Sequence, residues 1–243
     1  MNYRQVKKIL KTKYRILKSR KLATPYHKNK LKHSFYILKI AKQINSGVAT
    51  QCYKTFLLHD IGRFVHPLND NNHAFVGYKI LKHDYKMKEQ YILPIKYHEC
   101  DIDWENRLSQ DDMFEDLSLE DKKKVIYLTK LLKDADVISN MMSLNNKKNI
   151  INFSITQLEY LDNFLHDSIC RKYEYTTHAD DLIYILCGIY ILNLDESKQF
   201  VKDKKIVIKI LQKLYKRNHN PDIKNKIIKC LEKYQKEIDH GKK

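Results

Sequence analysis

Apolar positions recur at helical spacing along almost the whole of this chain. Val6, Leu10, Tyr14 and Leu17 predict a helix over residues 2–20, with a core-packing stripe and a basic polar side. Residues 31–45 repeat the pattern through Ile37, Ile40, Ala41 and Ile44, and His33 begins the same stripe. A third helix is expected over 49–61, stopped by Gly62. A loop over 64–71 follows it. Residues 72–83 place Val76, Ile80 and Leu81 inward, and 88–98 form a fifth helix that Pro94 can bend. The acidic stretch 99–118 reads as loop with one turn of helix. Ser118, three residues before Asp121, resembles an N-cap signature for a helix at 120–142. There Val125, Leu128, Leu132, Ala135 and Ser139 share a face, with Asp136 beside them. Further helices are expected at 155–171 and 178–194, and basic amphipathic ones at 196–217 and 221–238.

Composition strengthens this reading. The 243 residues include 5 Gly and 4 Pro, too few turn formers for a many-stranded sandwich. The expected fold class is therefore all-α. No repeat, low-complexity linker or composition break divides the chain, so residues 1–243 read as a single domain. The formal charge is +17. It fits either a polyanionic partner such as nucleic acid or a lysine-rich solvated surface, and the even spread of lysines favours the latter. Cys52, Cys100, Cys170, Cys187 and Cys230 are odd in number, far apart and without a CxxC pair. That suits free thiols in a reducing compartment. The basic N-terminus lacks an apolar signal region, and the apolar stretch around Leu182–Leu194 is too short and too interrupted for a membrane span. A cytoplasmic location is expected.

The candidate chemistry lies in buried ionisable groups. Three His-Asp dipeptides occur, and context separates them. His59-Asp60 follows the apolar run Phe56-Leu57-Leu58 and so sits at the buried end of a helix. His83-Asp84 lies among lysines and His166-Asp167 on a polar stretch, so both read as surface. His33, His73, His98 and Asp136 also fall on apolar helix faces. A lone histidine there is ordinarily a satisfied core residue. Four histidines and two carboxylates together are harder to explain that way, because an uncompensated buried carboxylate costs several kcal/mol. A bound cation removes that penalty, and mixed His and Asp ligands suit borderline metals such as Fe, Mn, Co, Ni or Zn.

These residues carry a family resemblance. The series His33, His59-Asp60, Asp136 resembles the H…HD…D signature of the HD-domain metal-dependent phosphohydrolases. LLHDIGRF resembles the segment around the paired residues, and NHAFVGYKIL and IKYHE resemble the two histidine-bearing elements that follow. LTKLLKDADVISN resembles the element supplying the last Asp, which selects Asp136 over Asp134. The resemblance implies an HD-type helical core over 30–142 with a C-terminal helical extension over 150–240 packed on it. It implies His33, His59, Asp60 and Asp136 as ligands of a first metal. His73 and His98 would hold a second, with Asp60 as the bridge. One or two divalent ions are expected, from among Mn, Fe, Co, Ni, Zn and Mg.

The implied function is hydrolysis of a phosphomonoester or phosphodiester, foremost of a nucleotide, by a metal-activated hydroxide. Asp60 and Arg63 are the candidate catalytic residues. Arg63, Glu99 and Asn140 are candidate substrate contacts, Arg63 as a phosphate clamp. Two departures narrow the field. Alarmone hydrolases and 5′-deoxynucleotidases of the superfamily carry an acidic residue where this chain has Arg63. The Gly-Tyr-Pro signature of the cyclic-dinucleotide branch is missing after His98. The competing readings are a nucleic-acid-binding or interaction protein with a vestigial site, and a di-iron HD oxygenase.

Overall fold

The computed structural model describes residues 1–65, 72–100, 103–146, 154–170 and 177–240. Every regular element among them is helical, as the periodicity predicts. Two compact units divide the chain, Met1–Asp136 and Val137–Lys243.

The first unit opens with α1 (Tyr3–Ser19), which buries Val6, Leu10 and Leu17. Asn2 and Gln5 cap it reciprocally, each side chain accepting from the other's backbone N–H. Helix α2 (Pro25–Ile44) begins six residues earlier than the apolar stripe suggests. Pro25 supplies a preset first turn, and Thr24 with His27 closes the cap. The helix expected over 49–61 is broken into α3 (Ser46–Gln51), α4 (Tyr53–Leu58) and a 3-10 turn at Ile61–Phe64. Gly62 is therefore not a helix stop, and its φ is not positive. It is a close-packing residue: a Cβ there would lie 2.1 Å from the His73 carbonyl oxygen.

That close approach seats α5 (His73–His83) directly on the 3-10 turn. It also rotates the buried face. His73, Ala74, Gly77, Tyr78 and Leu81 are buried, while Val76 and Ile80 are only half-buried. Helix α6 (Glu89–Tyr97) packs on α5 and α4 and accommodates Pro94 in its interior. The Thr55 hydroxyl of α4 donates to the Tyr91 carbonyl at 2.9 Å, a cross-helix bond one turn before that proline. Within the stretch expected as loop lie α7 (Trp104–Ser109) and α8 (Asp112–Glu115), pinned by buried Trp104, Leu108 and Phe114. The loop expected over 64–71 lies mostly outside the described residues. Helix α9 (Leu119–Asn145) starts at the expected Ser118 cap, where the Asp121 N–H reaches the Ser118 hydroxyl at 3.2 Å. It buries Val125, Leu128, Leu132 and Ala135 and ends in the second unit.

The second unit holds α10 (Glu159–Leu165), α11 (His178–Leu186) with a 3-10 turn at Cys187–Ile191, α12 (Asp195–Asp203), α13 (Ile206–Arg217) and α14 (Pro221–His240). Tyr160, Phe164, Leu182, Leu186, Ile210, Leu214 and Ile227 form its apolar core. The stretch expected as one helix over 196–217 turns sharply at Lys205, whose φ is 51°. No described helix is long and apolar enough to cross a membrane.

Candidate metal centre

The site assembles where four elements of the first unit meet. Helix α2 brings His33, the end of α4 brings His59 and Asp60, α5 begins with His73, and α6 ends at His98. The buried side chains Phe56, Leu57 and Leu58 lock α4 in the core, and so fix the two residues that follow. The four imidazoles form a chain: His33 to His59 at 5.6 Å between ring centres, His59 to His98 at 5.2 Å, and His98 to His73 at 5.4 Å.

Each ring is oriented by its surroundings. The Nδ1 of His59 faces the Phe56 carbonyl at 2.9 Å, and that of His98 faces the Ile95 carbonyl at 2.7 Å. A carbonyl can only accept, so Nδ1 carries the proton in both rings and Nε2 keeps its lone pair. His73 points Nε2 at Asp60 Oδ1 and Nδ1 at Glu99 Oε2, both at 2.9 Å. His33 Nε2 lies 3.0 Å from Asp136 Oδ1.

Asp60 is the hub. Arg63 Nε donates to its Oδ1 at 2.8 Å, while Lys30 Nζ lies 3.2 Å and His59 Nε2 3.3 Å from its Oδ2. Yet Asp60 Oδ2 and His59 Nε2 are buried without a well-directed hydrogen bond. Two buried, mutually facing ligand atoms of this kind fit a cation between them. Two sets of ligand atoms mutually within 4.8 Å occur among the described residues, His33–His59–Asp60 and Asp60–His73–His98. They share Asp60. Asp136 reaches the first set through His33.

The electrostatics follow from this packing. Burial alone would raise the Asp60 carboxyl, but His59, His73 and Lys30 hold it well below the usual carboxylate range. Burial likewise opposes ionisation of Asp136, and the contact with His33 lowers it instead. His98 is pushed down to about 4 by burial and by neighbouring His59, which keeps its imidazole neutral. His73 goes the other way: burial would lower it, but hydrogen bonds to Asp60 and Glu99 raise it.

The remaining candidates take definite places. The Arg63 guanidinium spans Asp60 and Glu99, with Nη2 donating to Glu99 Oε1 at 3.1 Å, and is largely buried. Glu99 is partly exposed and touches both Arg63 and His73. Asp134 is buried, not solvent-facing. Asn140 lies one turn beyond Asp136 on α9, in the second unit. His83-Asp84 and His166-Asp167 are exposed, as their contexts predict. Two positions escaped the sequence reading. Lys30 beside Asp60 stands one turn before His33, a spacing that could have flagged it. Lys133, whose ammonium donates to the His98 and Cys100 carbonyls, ties the end of α6 to α9.

Residues 31–141, the span carrying this cluster, match the family model of the HD domain. The chain carries an HD domain. HD domains form a superfamily of metal-dependent hydrolases that bind divalent metals. The all-helical architecture is the one this family uses. No curated protein and no solved structure matches the chain.

Proposed function

We propose that this HD protein is a metal-dependent phosphohydrolase that cleaves a phosphomonoester or phosphodiester of a nucleotide. The observation that carries the reading is the sharing of buried Asp60 between two sets of ligand atoms. His33, His59, Asp60 and Asp136 would hold one divalent ion, and Asp60, His73 and His98 a second. Such ions supply Lewis acidity toward the phosphoryl oxygens and acidify a water. The nucleotide is the part of the reading that rests on the resemblance to the HD-domain phosphohydrolases.

The chain's own residues prepare the centre. The Phe56 and Ile95 carbonyls fix the tautomers of His59 and His98, so both present Nε2. Glu99 does the same for His73 by engaging Nδ1. Arg63 holds Asp60 and Glu99 in register with each other, which makes it a positioning residue. Nε and Nη2 each donate to a carboxylate, which gives Arg63 an organising role beside the phosphate contact the resemblance implies.

The test is metal analysis of the purified protein, followed by a phosphate-release screen with Mn. Mono-, di- and cyclic nucleotides and dinucleotides would be compared. The expected outcome is metal-dependent release from at least one class, lost in His59→Ala. Absence of both bound metal and release from every class would sink the reading.

A further inference from the structure

The buried centre reaches solvent on two flanks, one at Glu99, 37% exposed beside His73 and Arg63, and one at Lys30, His33 and Asp136. His59 and His73 side chains are 0% exposed and Asp60 1%, whereas Lys30 is 20%, His33 11% and Asp136 27% exposed. A phosphoryl group can approach across the rim formed by Lys30, His33 and Asp136, away from the Glu99 carboxylate. Lys30 is the cation on that rim. The other cation at Asp60, Arg63, is turned inward between two carboxylates.

We propose that Lys30 contacts the phosphoryl group of the substrate, an assignment that rests on the phosphohydrolase reading above. Lys30 stands on α2 one turn before His33, so both side chains project from one helix face. Its Nζ reaches Asp60 Oδ2 at 3.2 Å and lies over the Tyr26 ring, 5.9 Å from the ring centre. The Asp60 contact uses at most part of a three-donor ammonium, and the flexible four-carbon stem lets the remaining donors follow a ligand. An ammonium in this place is complementary to the charge that builds on the phosphoryl oxygens during in-line displacement. Arg63 and Lys30 thus divide the work on Asp60. The buried guanidinium fixes the carboxylate, and the accessible ammonium faces the incoming anion.

The test compares wild type, Lys30→Ala and Lys30→Arg, each loaded with Mn, for Mn stoichiometry and for inorganic phosphate binding by calorimetry. Lys30→Ala should keep its Mn and bind phosphate about 10- to 100-fold more weakly. Lys30→Arg should stay within about 5-fold of wild type, and ethylammonium should restore part of the binding lost in Lys30→Ala. Equal phosphate binding by Mn-loaded Lys30→Ala overturns the assignment of Lys30 alone. Loss of Mn together with phosphate also overturns it, because Lys30 would then act only by holding Asp60. Mn-loaded wild type that binds no phosphate overturns the phosphohydrolase reading itself.

Discussion

Asp60 in the first unit and Asp180 in the second are both buried, and both titrate below the usual carboxylate range. Their partners differ in kind. Asp180 Oδ1 accepts from the backbone N–H groups of Thr156 and Gln157, both at 2.9 Å. Its Oδ2 accepts from the Thr156 hydroxyl at 2.5 Å and the Thr177 N–H at 3.0 Å. Every one of those donors is neutral, and every one belongs to the loop or cap that Asp180 itself holds. It staples residues 154–157 to the start of α11. Asp60 is surrounded instead by His59, His73, Arg63 and Lys30, all titratable or cationic, and one of its oxygens lacks a directed hydrogen bond. Burial and a lowered pKa alone do not separate a staple from a site. The nature of the partners, and whether they saturate the carboxylate, does.

The comparison breaks most visibly by removing each carboxylate. On the proposed function, Asp60→Asn should lower phosphate release by about 1,000-fold or more, because the metals it would anchor contribute several kcal/mol. Metal content should fall with it. Asp180→Ala should leave metal content of the folded protein unchanged and cost about 2–3 kcal/mol of stability, read by thermal or denaturant unfolding. An Asp180→Ala protein that is stable but stripped of metal would contradict the division.

Gly62→Ala probes how the close approach of α5 supports the centre. Its Cβ would meet backbone, the His73 carbonyl at 2.1 Å, so the turn or α5 must shift. The expected cost is about 3 kcal/mol, with weakened metal binding. Gly77→Ala meets its nearest neighbour, the Ile61 side chain, at 3.3 Å and should cost about 1 kcal/mol or less. Equal melting temperatures for the two variants would show that the approach is not tight.

The smallest expected effect is in pH. Asp180 would be raised by burial, but the hydrogen bonds from Thr156, Gln157 and Thr177 bring it below its unfolded value of about 3.9. A depressed folded pKa means the stabilisation is present above that unfolded value and is lost as pH falls through the folded one. Unfolding free energy should therefore drop more steeply below about pH 4 in wild type than in Asp180→Asn. Parallel profiles would remove Asp180 from the account of acid sensitivity.

How much of this was legible follows from where the information lies. His33, His59, Asp60, His73, His98 and Asp136 could be singled out because burial of ionisable groups shows in helix faces, and because their order matches a known signature. The ties of Glu99 to Arg63 and His73, and of Lys30 to Asp60, join separate elements, so spacing can flag Lys30 as a neighbour of His33 but does not encode the contacts themselves. Gly62 reads as a stop in sequence because a glycine after an apolar run has that statistical meaning; only packing reveals its other use. Helix α8 has four residues, below the length at which periodicity can be detected. The early start of α2 was signalled by Thr24-Pro25, but the apolar stripe begins later and drew the boundary with it.

The central claim is that Asp60 is common to two metal positions. Mn stoichiometry of wild type, Asp60→Asn and His98→Ala tests it most directly, since His98 belongs to one set of ligand atoms and Asp60 to both. The account predicts about two Mn per wild-type chain, about one in His98→Ala and almost none in Asp60→Asn. Wild-type occupancy retained in Asp60→Asn, or no Mn bound by wild type, would contradict it.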